Sequence, residues 1–300
     1  MLKLFLFGQL FFRYHFDIII RIKHILIYLR KRSEKMEIGA SSACFYPMET
    51  EKAFLHIAEL GFRHSEIFFN SRSELDRSFV KELKAIRDAY GINVTSLHPY
   101  RSFAEGYNFF SSYERRFLDG VDNYKRYFDA AATLGAKYIV LHGSRGFIDI
   151  SDEQYADRFA RLNEAARPFG CIVAHENVVD FIGEKPEFMK TMQSYLGDNF
   201  KMVLDVKQAR RAKADPLEFI EAMGKNIVHV HLSDYSESCD CLPPSEEGLA
   251  DFAALFTALH KKGYNGKYMI ELYSKNFSKE NEILNSAKYL EAILNKVRQG

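Results

Sequence analysis

IVHVHLSD, residues 227–234, is a short apolar run with several β-branched residues, and it ends in His-Leu-Ser-Asp. A run of this length followed by turn residues predicts a strand that is buried on both faces of a parallel sheet. Successive side chains on a strand point to opposite faces, so His229 and His231 share one face and His231 lies nearer the carboxyl end. For this strand alone, a hydrogen-bonded core histidine is the preferred interpretation.

Three other strand-like runs also end in a residue that can bind a metal ion. Each is apolar through its middle, and together they cover residues 171–177, 201–205 and 267–272. Asp and Glu are seldom fully buried unless they are paired or bound to a metal. We therefore expect four strand ends to share one divalent metal ion through Glu176, Asp205, His231 and Glu271.

Residues 36–300 alternate between predicted strands and predicted helices eight times. Strict alternation implies parallel strands with right-handed crossovers. This pattern predicts an α/β fold, the (β/α)8 TIM barrel, which typically has about 250 residues and carries its sites at the carboxyl ends of the strands. A doubly wound open sheet is the alternative, but the first strand lacks a Gly-x-Gly-x-x-Gly turn. The predicted strands cover residues 38–43, 65–69, 92–98, 138–142, 172–176, 202–205, 227–234 and 268–272. The predicted helices cover residues 49–60, 73–90, 112–134, 152–169, 186–196, 216–223, 249–262 and 279–297.

Charge is distributed unevenly along the 300 residues, although the formal net charge is only +1. Residues 1–35 contain eight Lys and Arg against two Asp and Glu, so residues 36–300 contain 33 basic and 38 acidic residues. Binding to a phosphate backbone is mainly a property of basic surfaces. We therefore expect a small-molecule partner and no nucleic acid.

Residues 1–35 are predicted to be an N-terminal extension, and residues 36–300 the catalytic domain. Charged residues interrupt every apolar window, so no uncharged run reaches the roughly 18 residues of a membrane span. No small-residue cleavage site follows the apolar part, which argues against a signal peptide. Apolar residues at positions 18, 22, 25 and 29 have helical spacing. A basic amphipathic helix, a disordered segment and a dispensable extension therefore remain open interpretations.

The four cysteines are Cys44, Cys171, Cys239 and Cys241. Their spacing resembles neither a disulfide framework nor paired Cys-x-x-Cys zinc knuckles. We therefore expect a reducing, cytoplasmic environment. The sequence leaves a homo-oligomer open.

Three carboxylates and one imidazole favour a hard or borderline divalent ion. Mn²⁺ is the preferred cofactor, and Mg²⁺, Co²⁺ and Zn²⁺ are the alternatives. In an eight-stranded barrel, the fifth and eighth strands stand well apart, so Glu176 and Glu271 are expected to face each other across the ion. A metal that chelates a carbonyl and a neighbouring hydroxyl acidifies the C–H bond and stabilises an enediolate. One glutamate then takes the proton and the other returns it.

Four motifs occur in order at these strand ends: HENVV (175–179), LDVKQA (204–209), HVHLSD (229–234) and IELY (270–273). The ordered set resembles the xylose isomerase-like TIM-barrel superfamily over residues 36–297. That superfamily contains sugar-phosphate isomerases and epimerases and the endonuclease IV type of nuclease. The resemblance implies one divalent metal held by Glu176, Asp205, His231 and Glu271, with Glu176 and Glu271 as the acid/base pair. It implies an isomerase or epimerase of a small sugar or sugar phosphate.

Two departures from the family pattern bear on the function. The family often has a histidine where this chain has Gln208, and Lys207 adds a cation beside it. Gln can hydrogen-bond a sugar hydroxyl but is a poor metal ligand. The Asp-Cys-Leu run at residues 240–242 lacks a histidine of the nuclease branch, so the full trinuclear zinc site could not form.

Further polar residues are expected near the mouth of the barrel. His98 and His142 end the third and fourth strands and are predicted to hydrogen-bond the substrate; a structural role and a second metal are the alternatives. Gln208 and Lys207 are also predicted to bind substrate, although Lys207 could instead be solvated beside the barrel. Glu66 is expected to hydrogen-bond inside the barrel.

Other functions compete with the sugar isomerase. One is an endonuclease IV-like metal-dependent phosphodiesterase, which the acidic domain disfavours. Others are a sugar dehydratase or lyase, and a sugar-binding barrel without catalysis. The sequence does not distinguish among sugars, because specificity lies in loops.

Overall fold

The computed structural model describes residues 36–100, 104–146 and 149–299. The predictions for residues 1–35 lie outside the described residues. Within the described part, no helix combines the length and the apolar composition needed to cross a bilayer.

Parallel strands form a closed barrel, which confirms the predicted TIM barrel. The barrel strands are β1 (Ile38–Ser41), β2 (His64–Phe68), β3 (Asn93–His98), β4 (Tyr138–Leu141), β5 (Ile172–Glu176), β6 (Met202–Asp205), β7 (Ile227–Leu232) and β10 (Lys267–Ile270). Around the ring their order is β1-β10-β7-β6-β5-β4-β3-β2, so each barrel strand lies beside its neighbour in the chain and the first pairs with the last.

Helices connect successive strands on the outside of the barrel. The helices over residues 186–196 and 216–223 have the predicted bounds, and the second has Asp215 as its N-cap, whose side chain accepts from the Leu217 amide. The helices are α1 (Thr50–Glu59), α2 (Arg77–Tyr90), α3 (Glu105–Phe109), α4 (Glu114–Leu134), α5 (Asp152–Ala166), α6 (Pro186–Leu196), α7 (Val206–Arg211), α8 (Pro216–Met223), α9 (Phe252–Lys261) and α10 (Asn281–Gln299).

Three short elements were not predicted. Helices α3 and α7 lie in loops at the carboxyl ends of β3 and β6, and both are too short to show helical periodicity. An antiparallel hairpin, β8 (Asp234–Tyr235) with β9 (Asp240–Leu242), follows β7. Strand β7 therefore ends at Leu232 and does not continue to Asp234 as predicted.

The main hydrophobic core lies in the shell between the strands and the helices. Large aromatic side chains such as Phe128, Phe159 and Phe256 are fully buried there. A smaller apolar cluster contains Val140, Ala174 and Val203. Ala174 and Val203 each precede a predicted metal ligand by two positions, and side chains two positions apart share a strand face. The smaller cluster therefore underlies the polar strand ends.

Candidate metal and active site

The four predicted metal ligands meet at one point at the carboxyl ends of their strands. His231 Nδ1 lies 3.1 Å from Glu176 Oε1, 2.9 Å from Glu271 Oε2 and 3.8 Å from Asp205 Oδ2. One ligand atom from each residue lies within 4.8 Å of all the others. The strands bring together the set that the sequence singled out.

Local structure aims each ligand at this point. Asp205 ends β6 and is also the N-cap of α7. Its Oδ1 accepts from the Gln208 amide at 3.0 Å, whereas its Oδ2 does not take part in this capping hydrogen bond. His231 is the register partner of Asp205 on the neighbouring strand. Glu271 directly follows β10, and its amide donates to the Leu232 carbonyl at 3.1 Å. Backbone pairing therefore fixes where these side chains leave the barrel wall.

The spacing and the unsatisfied oxygens both fit a bound divalent ion. Ligands at 2.0–2.2 Å from one ion are about 3.0–3.4 Å apart when their bonds meet at roughly right or tetrahedral angles. Among the described residues, no donor makes an aligned hydrogen bond to Glu176 Oε2, Asp205 Oδ2 or Glu271 Oε2, although all three atoms are buried. Nitrogens of His142, Lys207 and His231 lie 2.9–3.2 Å from these oxygens, but at angles outside those of a hydrogen bond. Oxygen-rich ligation with one nitrogen suits Mn²⁺, Mg²⁺, Co²⁺ or Zn²⁺.

Both candidate acid/base residues are ionised by their surroundings. Burial raises the pKa of Glu176, but the nearby imidazole rings of His142, His231 and His98 outweigh burial and hold it well below its usual value. Burial also raises the pKa of Glu271, but Lys207 and His231 outweigh it and bring the pKa to about 2. Each carboxylate is therefore a proton acceptor at neutral pH.

His98 and His142 lie beside Glu176, as expected for residues at the mouth. His142 Nε2 is 2.9 Å from Glu176 Oε2 and 3.0 Å from His98 Nε2, while His98 Nε2 is 3.7 Å from Glu176 Oε2. His98 stacks on Phe68, and His142 keeps 15% of its side chain exposed. These three residues form a second set with the spacing of metal ligands. Their predicted contact with substrate stays a prediction.

Lys207 is buried, so the solvated alternative is wrong. Its Nζ lies 3.2 Å from Asp205 Oδ2 and 3.2 Å from Glu271 Oε1, with 3% of the side chain exposed. Burial lowers the pKa of Lys207, but Asp205 and Glu271 raise it well above its usual value. The ammonium therefore compensates the charge of two candidate metal ligands.

Gln208 braces a loop beside the site. Its Oε1 accepts from the Val179 amide at 3.2 Å, which ties α7 to the segment after β5. This hydrogen bond occupies the side-chain carbonyl oxygen of Gln208. Contact of Gln208 with a substrate stays a prediction.

Glu66 contacts the candidate metal ligand His231, which its position in the sequence did not indicate. It is fully buried inside the barrel, where its Oε2 accepts from His231 Nε2 at 3.1 Å. Burial raises the pKa of Glu66, but the field of His231 and hydrogen bonds from His229 and His231 keep it well below its usual value. The signal in the sequence was a carboxylate in the middle of a predicted strand, directly before the apolar residues Ile67 and Phe68.

Comparison with known proteins gives consistent matches along most of the chain. The family described as "Xylose isomerase-like TIM barrel" matches residues 54–293. An uncharacterized protein of Methanocaldococcus jannaschii is 27% identical over 88% of this chain and 92% of its own length. A relative from Escherichia coli K12, named 3-dehydro-D-guloside 4-epimerase, is 24% identical over 79% of this chain and 92% of its own length.

A solved structure with the same fold is described as a D-tagatose 3-epimerase-like protein. It superposes with a TM-score of 0.71 at 23% sequence identity, over 88% of this chain and 99% of the other. At that identity the likeness concerns the fold.

Proposed function

Since the chain belongs to the xylose isomerase-like TIM-barrel family, we propose that it is a divalent-metal-dependent isomerase or epimerase of a small sugar or sugar phosphate. The bound metal would be Mn²⁺ in the first instance, held by Glu176, Asp205, His231 and Glu271. The Escherichia coli relative named as an epimerase supports this reaction class. A cytoplasmic location and a homo-oligomeric state remain predictions from the sequence.

One observation carries the proposal. Glu176 and Glu271 come from strands that lie three steps apart around the ring, yet both approach the same nitrogen, His231 Nδ1, at 3.1 and 2.9 Å. Two ionised carboxylates on different sides of one point can take a proton from one face of a substrate carbon and return it to another.

Each side chain at the site has its own role in the proposed reaction. A bound divalent ion would supply a Lewis acid that polarises the carbonyl and hydroxyl oxygens of a sugar. The ionised Glu176 accepts a proton from the carbon next to the carbonyl and later releases it to water. Glu271 is also ionised at rest, so it first takes a proton from water and then donates it to the opposite face or to the adjacent carbon. Lys207 holds Glu271 Oε1 at 3.2 Å, which leaves Oε2 turned toward the shared point. His98 and His142 can hydrogen-bond the sugar hydroxyls from the mouth side.

Exchange of carbon-bound hydrogen tests the reaction class without knowledge of the natural substrate. The Mn²⁺-loaded chain is incubated in D₂O with a panel of ketoses and ketose phosphates, and the products are followed by NMR. We expect deuterium at a carbon next to the carbonyl of at least one sugar. Absence of exchange with every sugar would contradict isomerase chemistry. The Glu176→Gln variant serves as the control, because it removes the proposed base.

A second candidate function is an endonuclease IV-like phosphodiesterase. It is favoured by the ligand-like spacing of His98, His142 and Glu176, since matching histidines bind additional zinc ions in that branch. It is disfavoured by Gln208 and by the missing histidine in the 240–242 loop. Metal counting by elemental analysis separates the two: one ion per chain supports the isomerase, and three support the nuclease.

A further inference from the structure

We propose that Glu66 is a positioning residue for the metal ligand His231, which it orients by accepting the Nε2 proton so that Nδ1 faces the three carboxylates. The inference rests on the proposed metal-binding role of His231. It assigns a function to a buried acid that the acid/base mechanism does not use.

Four donors surround the Glu66 carboxylate. Ser41 Oγ donates to Oε1 at 3.1 Å, and Ser96 Oγ donates to Oε2 at 2.8 Å. His231 Nε2 lies 3.1 Å from Oε2, and His229 Nε2 lies 3.2 Å from the same oxygen and 3.0 Å from Ser96 Oγ. A carboxylate with donors on both oxygens acts as the acceptor, so the hydrogen of His231 is placed on Nε2.

The strand register fixes the position of the Glu66 side chain. Ser41 and Ser96 are the register partners of Glu66 on the two flanking strands, β1 and β3. All three side chains are fully buried. The hydroxyls hold the carboxylate in place, and the carboxylate reaches His231 across the lumen from β2 to β7.

The direction of the second ring nitrogen follows from this contact. With Nε2 committed to Glu66, Nδ1 is the atom that lies 3.1 Å from Glu176 and 2.9 Å from Glu271. Imidazole ligands commonly donate their other N–H to a carboxylate, and loss of that partner typically weakens metal binding about 10–100-fold. Glu66 therefore decides which nitrogen is offered to the ion.

A matched pair of substitutions separates the acceptor from the rest of the side chain. Glu66→Gln keeps an oxygen acceptor at similar volume, whereas Glu66→Leu removes it. Ser65→Ala is the control, because Ser65 is the preceding residue on β2 and its hydroxyl bonds the Ala40 carbonyl, away from His231. Mn²⁺ affinity is measured by calorimetry on the full chain, and thermal unfolding of the metal-free protein is measured alongside.

We expect Glu66→Leu to weaken Mn²⁺ binding about 10–100-fold, Glu66→Gln to lie between it and wild type, and Ser65→Ala to match wild type. Equal affinity of Glu66→Leu and wild type would overturn the inference. A wild-type chain that binds no Mn²⁺ would instead overturn the proposed function.

The ring nitrogen of His231 that binds the metal can be identified in the wild-type chain. This second measurement therefore does not require Glu66→Leu to fold. In the Zn²⁺-loaded protein labelled with ¹⁵N-histidine, we expect His231 to be protonated at Nε2 and bound to zinc at Nδ1. The His231→Asn variant assigns the resonance. Zinc bound at Nε2 would contradict the orientation that Glu66 imposes.

Discussion

His231 and His175 lie on strands of the same barrel, but the lumen and the shell around it give them opposite properties. In the lumen, Glu66, Glu176 and Glu271 approach the ring nitrogens of His231 within 3.1 Å. Burial lowers the pKa of His231, but the fields of Glu66 and Glu271 outweigh it and raise the pKa well above its usual value. The lumen therefore stabilises positive charge.

In the shell, aromatic rings surround His175, and each of its ring nitrogens has one hydrogen-bond partner. Its Nε2 pairs with the Tyr155 hydroxyl at 2.9 Å, and its Nδ1 lies 3.0 Å from the Glu176 carbonyl. Burial lowers the pKa of His175 to about 4. Gly143 has φ +85°, and a Cβ there would lie 2.4 Å from His175 Nε2, so this packing requires glycine. The shell stabilises the neutral ring.

The difference shows how strand alternation separates structure from chemistry. His175 and Glu176 are adjacent in β5 and point to opposite faces. On the outer face, His175 has one partner at each ring nitrogen. On the inner face, four carboxylates lie around Lys207 and the His231 ring: Glu66, Glu176, Asp205 and Glu271. An excess of negative charge at one point is what a divalent cation would relieve.

The largest effect is expected from removing a proton acceptor in the lumen. Glu271→Gln is predicted to lower kcat about 10²–10⁴-fold, the usual contribution of a positioned acid or base. Metal binding should be largely retained, because the amide oxygen can still be a ligand. Steady-state rates and Mn²⁺ affinity are measured together on an identified substrate.

Glu246→Gln is the control for this prediction, since Glu246 is exposed in the loop before α9. Its rate should equal that of wild type. Unchanged turnover in Glu271→Gln would remove Glu271 from the acid/base role.

A smaller effect, on stability, is expected from removing the buried cation in the lumen. Lys207→Met leaves Asp205 and Glu271 buried without their ammonium partner, and loss of one member of a buried ion pair typically costs about 3–5 kcal/mol. The free energy of unfolding is measured by denaturant titration in the presence of a chelator. Added Mn²⁺ should stabilise this variant more than it stabilises wild type.

Lys225→Met is a matched change in an exposed pair, because Lys225 lies 2.7 Å from Asp198 and both side chains are mostly solvent-exposed. Its stability should change little, since exposed ion pairs contribute little. Equal losses in the two variants would mean that the lumen does not depend on Lys207 for charge balance.

A still smaller effect is expected in the shell, and it depends on pH. The pKa of His175 in the folded chain is about 4, whereas an unperturbed histidine has a pKa of about 6.5, so the unfolded chain binds its proton first as pH falls. The neutral ring therefore contributes stability above pH 6.5 that is lost as pH falls toward 4, in total about 3 kcal/mol. Unfolding followed by circular dichroism across this range should show a shallower pH dependence in His175→Gln.

The exposed His260 provides the comparison for this shell prediction. His260→Gln should keep the full pH dependence of the wild-type chain. If His175→Gln and wild type lost stability in parallel, the neutral buried ring would not be the cause.

Sequence patterns predicted the barrel and its ligands because both follow from local regularities. The apolar runs of β5 and β6 gave the observed bounds, and the carboxylates at their ends lie where the runs stop. Strand period two also places adjacent residues such as His175 and Glu176 on opposite faces. Those features depend on residues close together in the chain.

Long-range contacts account for what the sequence did not predict. Lys207 is buried against Asp205 and Glu271, and Glu271 lies 64 positions away in the chain. Helix α7 is short and its N-cap is Asp205, so one residue serves as both helix cap and candidate metal ligand. The role of Glu66 depends on His231, which lies 165 positions away in the chain.

Mn²⁺ binding by equilibrium dialysis tests most directly whether the four strand ends share a cation. Asp205→Ala is compared with Asp251→Ala, because both carboxylates cap a helix, at 3.0 and 2.9 Å from an amide, so each variant loses a cap. Only Asp205→Ala also removes a proposed ligand oxygen. We predict one Mn²⁺ per chain for wild type and Asp251→Ala, and an affinity about 100-fold lower or more for Asp205→Ala, since loss of a ligand's hydrogen-bond partner alone costs about 10–100-fold. No binding by wild type, or equal binding by Asp205→Ala, would contradict the shared site.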